Sequence, residues 1–231
     1  IAAEELGVDS SIIVVRGVDT DLSPFDAGSY ASSGTYVTGL AAKNAATELR
    51  DKIRSQAALM WGVDEFDVVF DGEFVRLADE RAAREQNRYL TLRDFANLCV
   101  KDIAGGDALT AHASACSPVS PPPFMAGIAE VDVDKATGKV TVVDYAAAVD
   151  CGTVINEALA RVQAEGGIAQ GIGHALYEIV DRDGRGRLRT GNFMTYKLPT
   201  RLDIGQIRVA FEPSYEPTGP FGAKSIGEVV I

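Results

Sequence analysis

The stretch Asn156-Glu157-Ala158-Leu159-Ala160-Arg161-Val162-Gln163-Ala164-Glu165-Gly166-Gly167-Ile168-Ala169-Gln170-Gly171-Ile172-Gly173-His174-Ala175-Leu176 decides how the rest of the chain is read. Asn156 is a natural N-cap, because its short side-chain oxygen can accept from the free N–H groups of a first turn. The apolar residues beyond it recur at helical spacing. Gly166, Gly167, Gly171 and Gly173 interrupt that helix, and each costs about 1 kcal/mol against alanine. Such a helix needs a compensating gain. Close packing against another backbone, or against a flat cofactor, would supply one. Gln163 and Gln170 add amides that both donate and accept. Periodicity alone supports a glycine-bearing core helix equally well, and His174 reads as a packed or partly exposed core residue.

Before this helix, Ala126 to Asp134 alternates, Lys135-Ala136-Thr137-Gly138 turns, and Lys139 to Tyr145 returns and runs on to Asp150-Cys151-Gly152. This pattern predicts a β-hairpin with one wet face, so Asp132 and Asp134 face water rather than hold a metal. After the helix, Tyr177–Val180 and Arg187–Thr190 flank Asp181-Arg182-Asp183-Gly184-Arg185-Gly186. That loop hints at a calcium site but lacks the later ligands and the closing glutamate. A hairpin turn is the better reading. Residues Ile207 to Phe211 form a strand. The closing segment is Gly219-Pro220-Phe221-Gly222-Ala223-Lys224-Ser225-Ile226-Gly227-Glu228, too rich in glycine for a helix interior or a central strand. Val229, Val230 and Ile231 follow Glu228. Apolar neighbours of that kind desolvate a carboxyl, raise its pKa and suit it to act as a general base. The plainer alternative is a solvated loop-end glutamate.

The first half opens with the last turns of a helix stopped at Gly7, and a chain that begins there is expected to have lost what came before. Ser11–Val15 is β-branched and predicts a strand. Asp19 and Asp21 could hold a metal ion, but a turn capped by their carboxylates is the commoner explanation. Gly28-Ser29-Tyr30-Ala31-Ser32-Ser33-Gly34-Thr35 is small and hydroxyl-rich and runs into a helical pattern from Tyr36 to Met60. A loop of this kind at a helix N-terminus can take an anion on its N–H groups, although simple capping explains it as well. The Asp71-Gly72 pair predicts a hairpin within Val63–Val75. Arg81–Arg88 is charged and exposed, and Thr91–Asp94 opens a helix running to Ile103. Residues 105–123 form a long connection that either drapes over the surface or bridges two lobes, 1–123 and 124–231.

A net charge of -11 and a pI near 4.7 argue against a nucleic-acid partner, whose phosphates need clusters of Lys and Arg. No apolar run approaches a membrane span and no signal peptide opens the chain. Cys99, Cys116 and Cys151 are widely spaced and read as reduced thiols of a cytoplasmic protein. They form no C-x-x-C pair, which argues against a zinc or iron–sulfur site within the chain.

Several motifs, in this order, resemble the molybdenum hydroxylases of the xanthine oxidase and aldehyde oxidase family. They are Asp19-Thr20-Asp21 with Pro24, Gly28-Ser29 and Thr35-Tyr36-Val37-Thr38-Gly39; Asp150-Cys151-Gly152 with Asn156; the Gln163–Leu176 glycine pattern; Asn192–Thr200; and Gly222-Ala223-Lys224-Ser225-Ile226-Gly227-Glu228. Two departures stand out. Many members carry arginine where Ser33 stands, and proline where Glu157 stands. The resemblance implies an α+β fold, the C-terminal portion of the molybdopterin-binding domain of that family. It implies that Glu228 is the catalytic base of a hydroxylation with water as oxygen donor, on an N-heterocycle of purine, xanthine or nicotinate type or on an aldehyde. It implies that Ala31, Ser32, Ser33, Gln163, Gly166, Lys224 and Gly227 contact the cofactor, and that molybdenum is held through the pterin dithiolene and not by side chains. The cofactor form implied is the cytosine dinucleotide. The partners implied are the other part of the molybdopterin region and iron–sulfur (2Fe-2S) and FAD subunits, without which the chain is inactive. A reductive dehydroxylase of an aromatic thioester on the same scaffold, or a non-catalytic assembly remnant, are the alternatives.

Overall fold

The computed structural model describes residues 1–101, 108–117 and 119–231. They form two units, 1–27 with 37–117 and 28–36 with 118–231.

In the first unit α1 (Ala2–Leu6) is closed by Gly7 in the left-handed conformation, and α2 (Gly39–Trp61) by Gly62 likewise. Strands β1 (Val68–Phe70) and β2 (Phe74–Leu77) pair around the expected Asp71-Gly72 turn. Gly72 has φ 97°, and a side chain there would collide with the Gly7 carbonyl, so only glycine fits. Helix α3 (Glu80–Glu85), strand β3 (Tyr89–Thr91) and helix α4 (Leu92–Lys101) complete the unit. The sheet order is β1-β2-β3, antiparallel throughout. Ile53 and Ala57 of α2 pack on Val68, Val75, Phe95 and Cys99.

Three expectations change here. Ser11–Val15 is not a strand: Ser10–Ile12 is a 3-10 turn, and Val14 and Val15 stand exposed with no partner strand among the described residues. β-branched sequence favours extended backbone, but a strand needs a neighbour. The charged 81–88 segment is not wholly exposed either, because Asp79 caps α3 and Ala83 is buried. The long helix begins at Gly39, after a π-wound turn over Gly34–Thr38. The expected end of α4 at Ile103, and residues 105–107 and 118 of the long connection, lie outside the described residues.

The second unit holds β4 (Phe124–Val133), β5 (Val140–Asp150), α5 (Glu157–Leu176) and β6 (Gln206–Phe211). The sheet order is β4-β5-β6. β4 and β5 are the expected antiparallel hairpin, with a register shift between Glu130 and Val131. β6 is parallel to β5, a pairing that needs a crossover, and α5 lies within that connection. Ala164, Ile168 and Ile172 of α5 form the core with Val142, Ala147, Val149 and Val209. Because that core draws on β5 and β6, the edge strand β4 is exposed on both faces, Ile128 to 76%. The single wet face expected of the hairpin therefore holds for β5 but not for β4. The 181–186 loop is the expected turn. Asp183 accepts from the Arg185 and Arg187 N–H groups and pairs with the Arg187 guanidinium at 2.8 Å, so its carboxylate is already engaged.

Candidate functional site

Strand β5 ends on Asp150, and the chain beyond it pairs with the closing segment. Gly152 bridges Ala223, the Lys224 N–H donates to the Cys151 carbonyl at 2.8 Å, and the Thr153 N–H to the Gly222 carbonyl at 2.9 Å. Gly152 has φ 70°, and a side chain there would collide with that carbonyl, which explains the glycine of the Asp150-Cys151-Gly152 motif. The Asp150 carboxylate ties the two strands together. It accepts from Lys224 Nζ at 2.8 Å, Ser214 Oγ at 2.5 Å and the Gly152 N–H at 2.9 Å. Burial alone would raise its pKa, but the hydrogen bonds from Lys224, Ser214 and Gly152 and the Lys224 charge hold it below the ordinary carboxylate value. Burial, and after it the negative charge of Asp150, push the Cys151 thiol up instead, leaving it an inert core group.

The closing segment then turns under α5. Gly227 leads into a 3-10 turn, Glu228–Val230, and Val230 is buried at 1% exposure. A side chain at Gly167 would collide with Val230 and would lie 3.2 Å from the Gly227 carbonyl. One at Gly171 would lie 3.1 Å from Ile231, and one at Gly173 would strike Glu178. Three of the four helix glycines are thus explained by close approach within the chain. Gly166 is not: a side chain there would meet nothing within 4 Å, and the residue is exposed.

The hydroxyl-rich loop reaches the same turn. A Cβ on Gly227 would lie 2.7 Å from Ser32 Oγ and 3.5 Å from Gln163 Oε1. Ser32, Gln163 and Gly227 are therefore brought together from three separate stretches of sequence, with Gly166 one helical turn beyond Gln163. Ala31 and Ser32 are held at φ 50° and 55°, a region that non-glycine residues occupy only under constraint. The side chains of Ser32, Ser33 and Gln163 make no hydrogen bond among the described residues. Open space over Gly166, beside unengaged hydroxyls and an amide, suits a flat polar heterocycle that both donates and accepts. Ser33 is neutral and Lys224 is already paired with Asp150, so neither offers a free charge to an anion.

The remaining predicted residues fall in different places. Glu228 projects from a turn whose next residues point inward, and its carboxylate is exposed with no partner among the described residues. Its apolar neighbours in sequence anchor the backbone instead of covering the acid. Lys224 orients the closing segment through Asp150 and lies 5.6 Å from the Phe124 ring centroid. His174 is exposed, 3.7 Å from Glu178. The sequence reading missed the roles of Asp150 and Ser214; the available signal was a strand-ending carboxylate and a lone lysine in a closing loop. Among the described residues no cluster of His, Cys, Asp and Glu gathers to hold a metal ion, and no helix is long and apolar enough to cross a membrane.

Comparison with known proteins identifies the family and the fold. Residues 1–205 match the family model of the molybdopterin cofactor-binding domain. The putative xanthine dehydrogenase molybdenum-binding subunit of Escherichia coli is 34% identical over 230 residues, 99% of this chain and 30% of that protein. The probable hypoxanthine oxidase of the same organism is 35% identical over 230 residues, 99% of this chain and 23% of that protein. Among solved structures, the reconstituted CO dehydrogenase from Oligotropha carboxidovorans superposes with a TM-score of 0.84 at 27% identity, over 99% of this chain and 28% of that one. The chain spans less than a third of the length of each.

Proposed function

The chain belongs to the molybdopterin cofactor-binding domain family, and from that premise we propose that it is part of the molybdenum-binding subunit of a hydroxylase. The substrate class is an N-heterocycle of purine, xanthine or nicotinate type, or an aldehyde, with water as the oxygen donor. The relatives named for xanthine and hypoxanthine support the purine end of that range. The observation that carries the reading is the meeting of Ser32, Gln163 and Gly227 beside the open Gly166 face. Gln163, the Ala31–Ser33 loop and Gly166 would hold the pterin edge, Gly227 would leave it room beside the turn, and Lys224 fixes the closing segment through Asp150. The chemistry that the molybdenum cofactor supplies when bound is Lewis acidity and a two-electron sink. Glu228 takes a proton onto its carboxylate as the water-derived oxygen forms its bond to the electron-poor carbon. Hydroxylation replaces a C–H bond by a C–O bond and releases two protons and two electrons; Glu228 would remove the proton carried by the water-derived oxygen, and the C–H electron pair would be what the cofactor takes up. The cofactor would be the cytosine dinucleotide form, and 2Fe-2S and FAD groups on partner subunits would take up the electrons. We place the enzyme in the cytoplasm because none of its cysteines is disulfide-bonded.

The test is made on the complex purified from its native host. Molybdenum and pterin should co-purify with it at about one per copy, and xanthine turned over in oxygen-18 water should carry the label. A complex free of both, or a product labelled from dioxygen alone, would overturn the reading.

A further inference from the structure

We infer that Tyr36 and Thr218 form a hydroxyl latch that fixes the Ala31–Ser33 loop against Gly227 and so sets how tightly the pterin is held; the second half of this rests on the proposed function. Tyr36 is 2% exposed, and its hydroxyl lies 2.5 Å from Thr218 Oγ1. Thr218 Oγ1 lies 2.5 Å from Glu216 Oε1, and the Thr218 N–H donates to that same oxygen at 3.0 Å. These two bonds hold the Glu216 carboxyl below its ordinary value, so it is an acceptor only. The single Thr218 hydroxyl proton goes to Glu216, which leaves Thr218 Oγ1 to accept and makes Tyr36 the donor. The order of the chain, Tyr36 to Thr218 to Glu216, is therefore fixed.

The ring provides a second hold, because a Cβ on Gly219 would lie 3.1 Å from Tyr36 Cδ2. Hydroxyl and ring edge together pin the stretch that leaves the loop to the stretch that leads into the closing segment. The loop needs such a hold. Ala31 and Ser32 occupy left-handed backbone that neither residue prefers, and such conformations persist only where the surroundings over-determine them. Tyr36 is a positioning residue in this scheme: it acts through Ser32, four residues earlier, and touches no cofactor itself.

The experiment compares Tyr36→Phe, Thr218→Val, the double variant and Thr218→Ser in the assembled enzyme. It reads hydrogen exchange at residues 30–34 and the rate of pterin release on dilution. Each single variant should raise both rates by about tenfold, the worth of one hydrogen bond. The double variant should be no worse than the worse single, since both remove the same interaction, and Thr218→Ser should match the parent. Unchanged exchange in the singles, or effects that multiply in the double, would overturn the latch. Faster exchange with unchanged pterin release would overturn its role in holding the cofactor. If the parent complex holds no pterin, the proposed function fails while the exchange measurement still decides the latch.

Discussion

Gly166 and Gly167 are neighbours on α5 with opposite surroundings. Gly167 faces inward, where Val230 and the Gly227 carbonyl leave no room for a side chain. Gly166 faces outward over open space. The same division separates Lys224, which pairs with Asp150, from Glu228 four residues later, which pairs with nothing among the described residues. The inward set has its partners inside the chain and accounts for the fold. The side chains of the outward set (Ser32, Gln163, Glu228) make no hydrogen bond or ion pair among the described residues, Gly166 faces open space, and these residue types are costly or idle unless a ligand meets them. A glycine in a helix interior that no contact requires is the clearest sign of this.

Four substitutions or conditions would break or sharpen that contrast. Gly167→Val should destabilise the subunit by about 3 kcal/mol, because overpacking against Val230 must displace the turn that carries Glu228; an unchanged denaturant midpoint would show that the inner face is loosely packed. Asp150→Ala should cost about 2 kcal/mol by freeing Lys224, Ser214 and the Gly152 N–H together. Its signature is faster proteolysis of the closing segment. Gly166→Ala should stabilise the helix by about 1 kcal/mol while lowering the pterin content of the assembled enzyme. A variant both more stable and fully loaded would show that nothing lies over Gly166. The smallest effect is on pH. The Asp150 carboxyl is depressed below 3.8, so its contribution is fully present above that value and is lost as pH falls through the lower folded value. Lys224→Met should flatten this acid limb of the stability curve, and an unaltered limb would argue against the ion pair.

Much of the second unit was legible because its signals are local. The Asn156 cap, the 3.6-residue period of α5, the β4–β5 alternation and the turn at Gly138 each depend on residues close in sequence. Glycine crowding on α5 correctly pointed to a close approach, but it could not tell that three glycines serve Val230, Ile231 and Glu178 while one remains open. Those partners lie far along the chain. The loop at 28–36 was recognisable as a small, hydroxyl-rich approach to a helix, yet its packing with residues 118–231 rests on Tyr36–Thr218 and Ser32–Gly227 contacts that no periodicity encodes. Ser11–Val15 failed for the opposite reason: its propensity is extended, but strand pairing is a property of the neighbour. For Glu228, apolar residues adjacent in sequence suggested desolvation. A 3-10 turn instead points Val230 inward and leaves the acid exposed.

The account stands on Glu228, exposed at a 3-10 turn anchored by Val230, as the proposed base, and Glu228→Gln in the assembled enzyme tests it most directly. The amide keeps the shape and removes the proton acceptor. Steady-state turnover should fall by about 10²–10⁴-fold with molybdenum and pterin content unchanged. Turnover within a fewfold of the parent, at equal cofactor content, would contradict it.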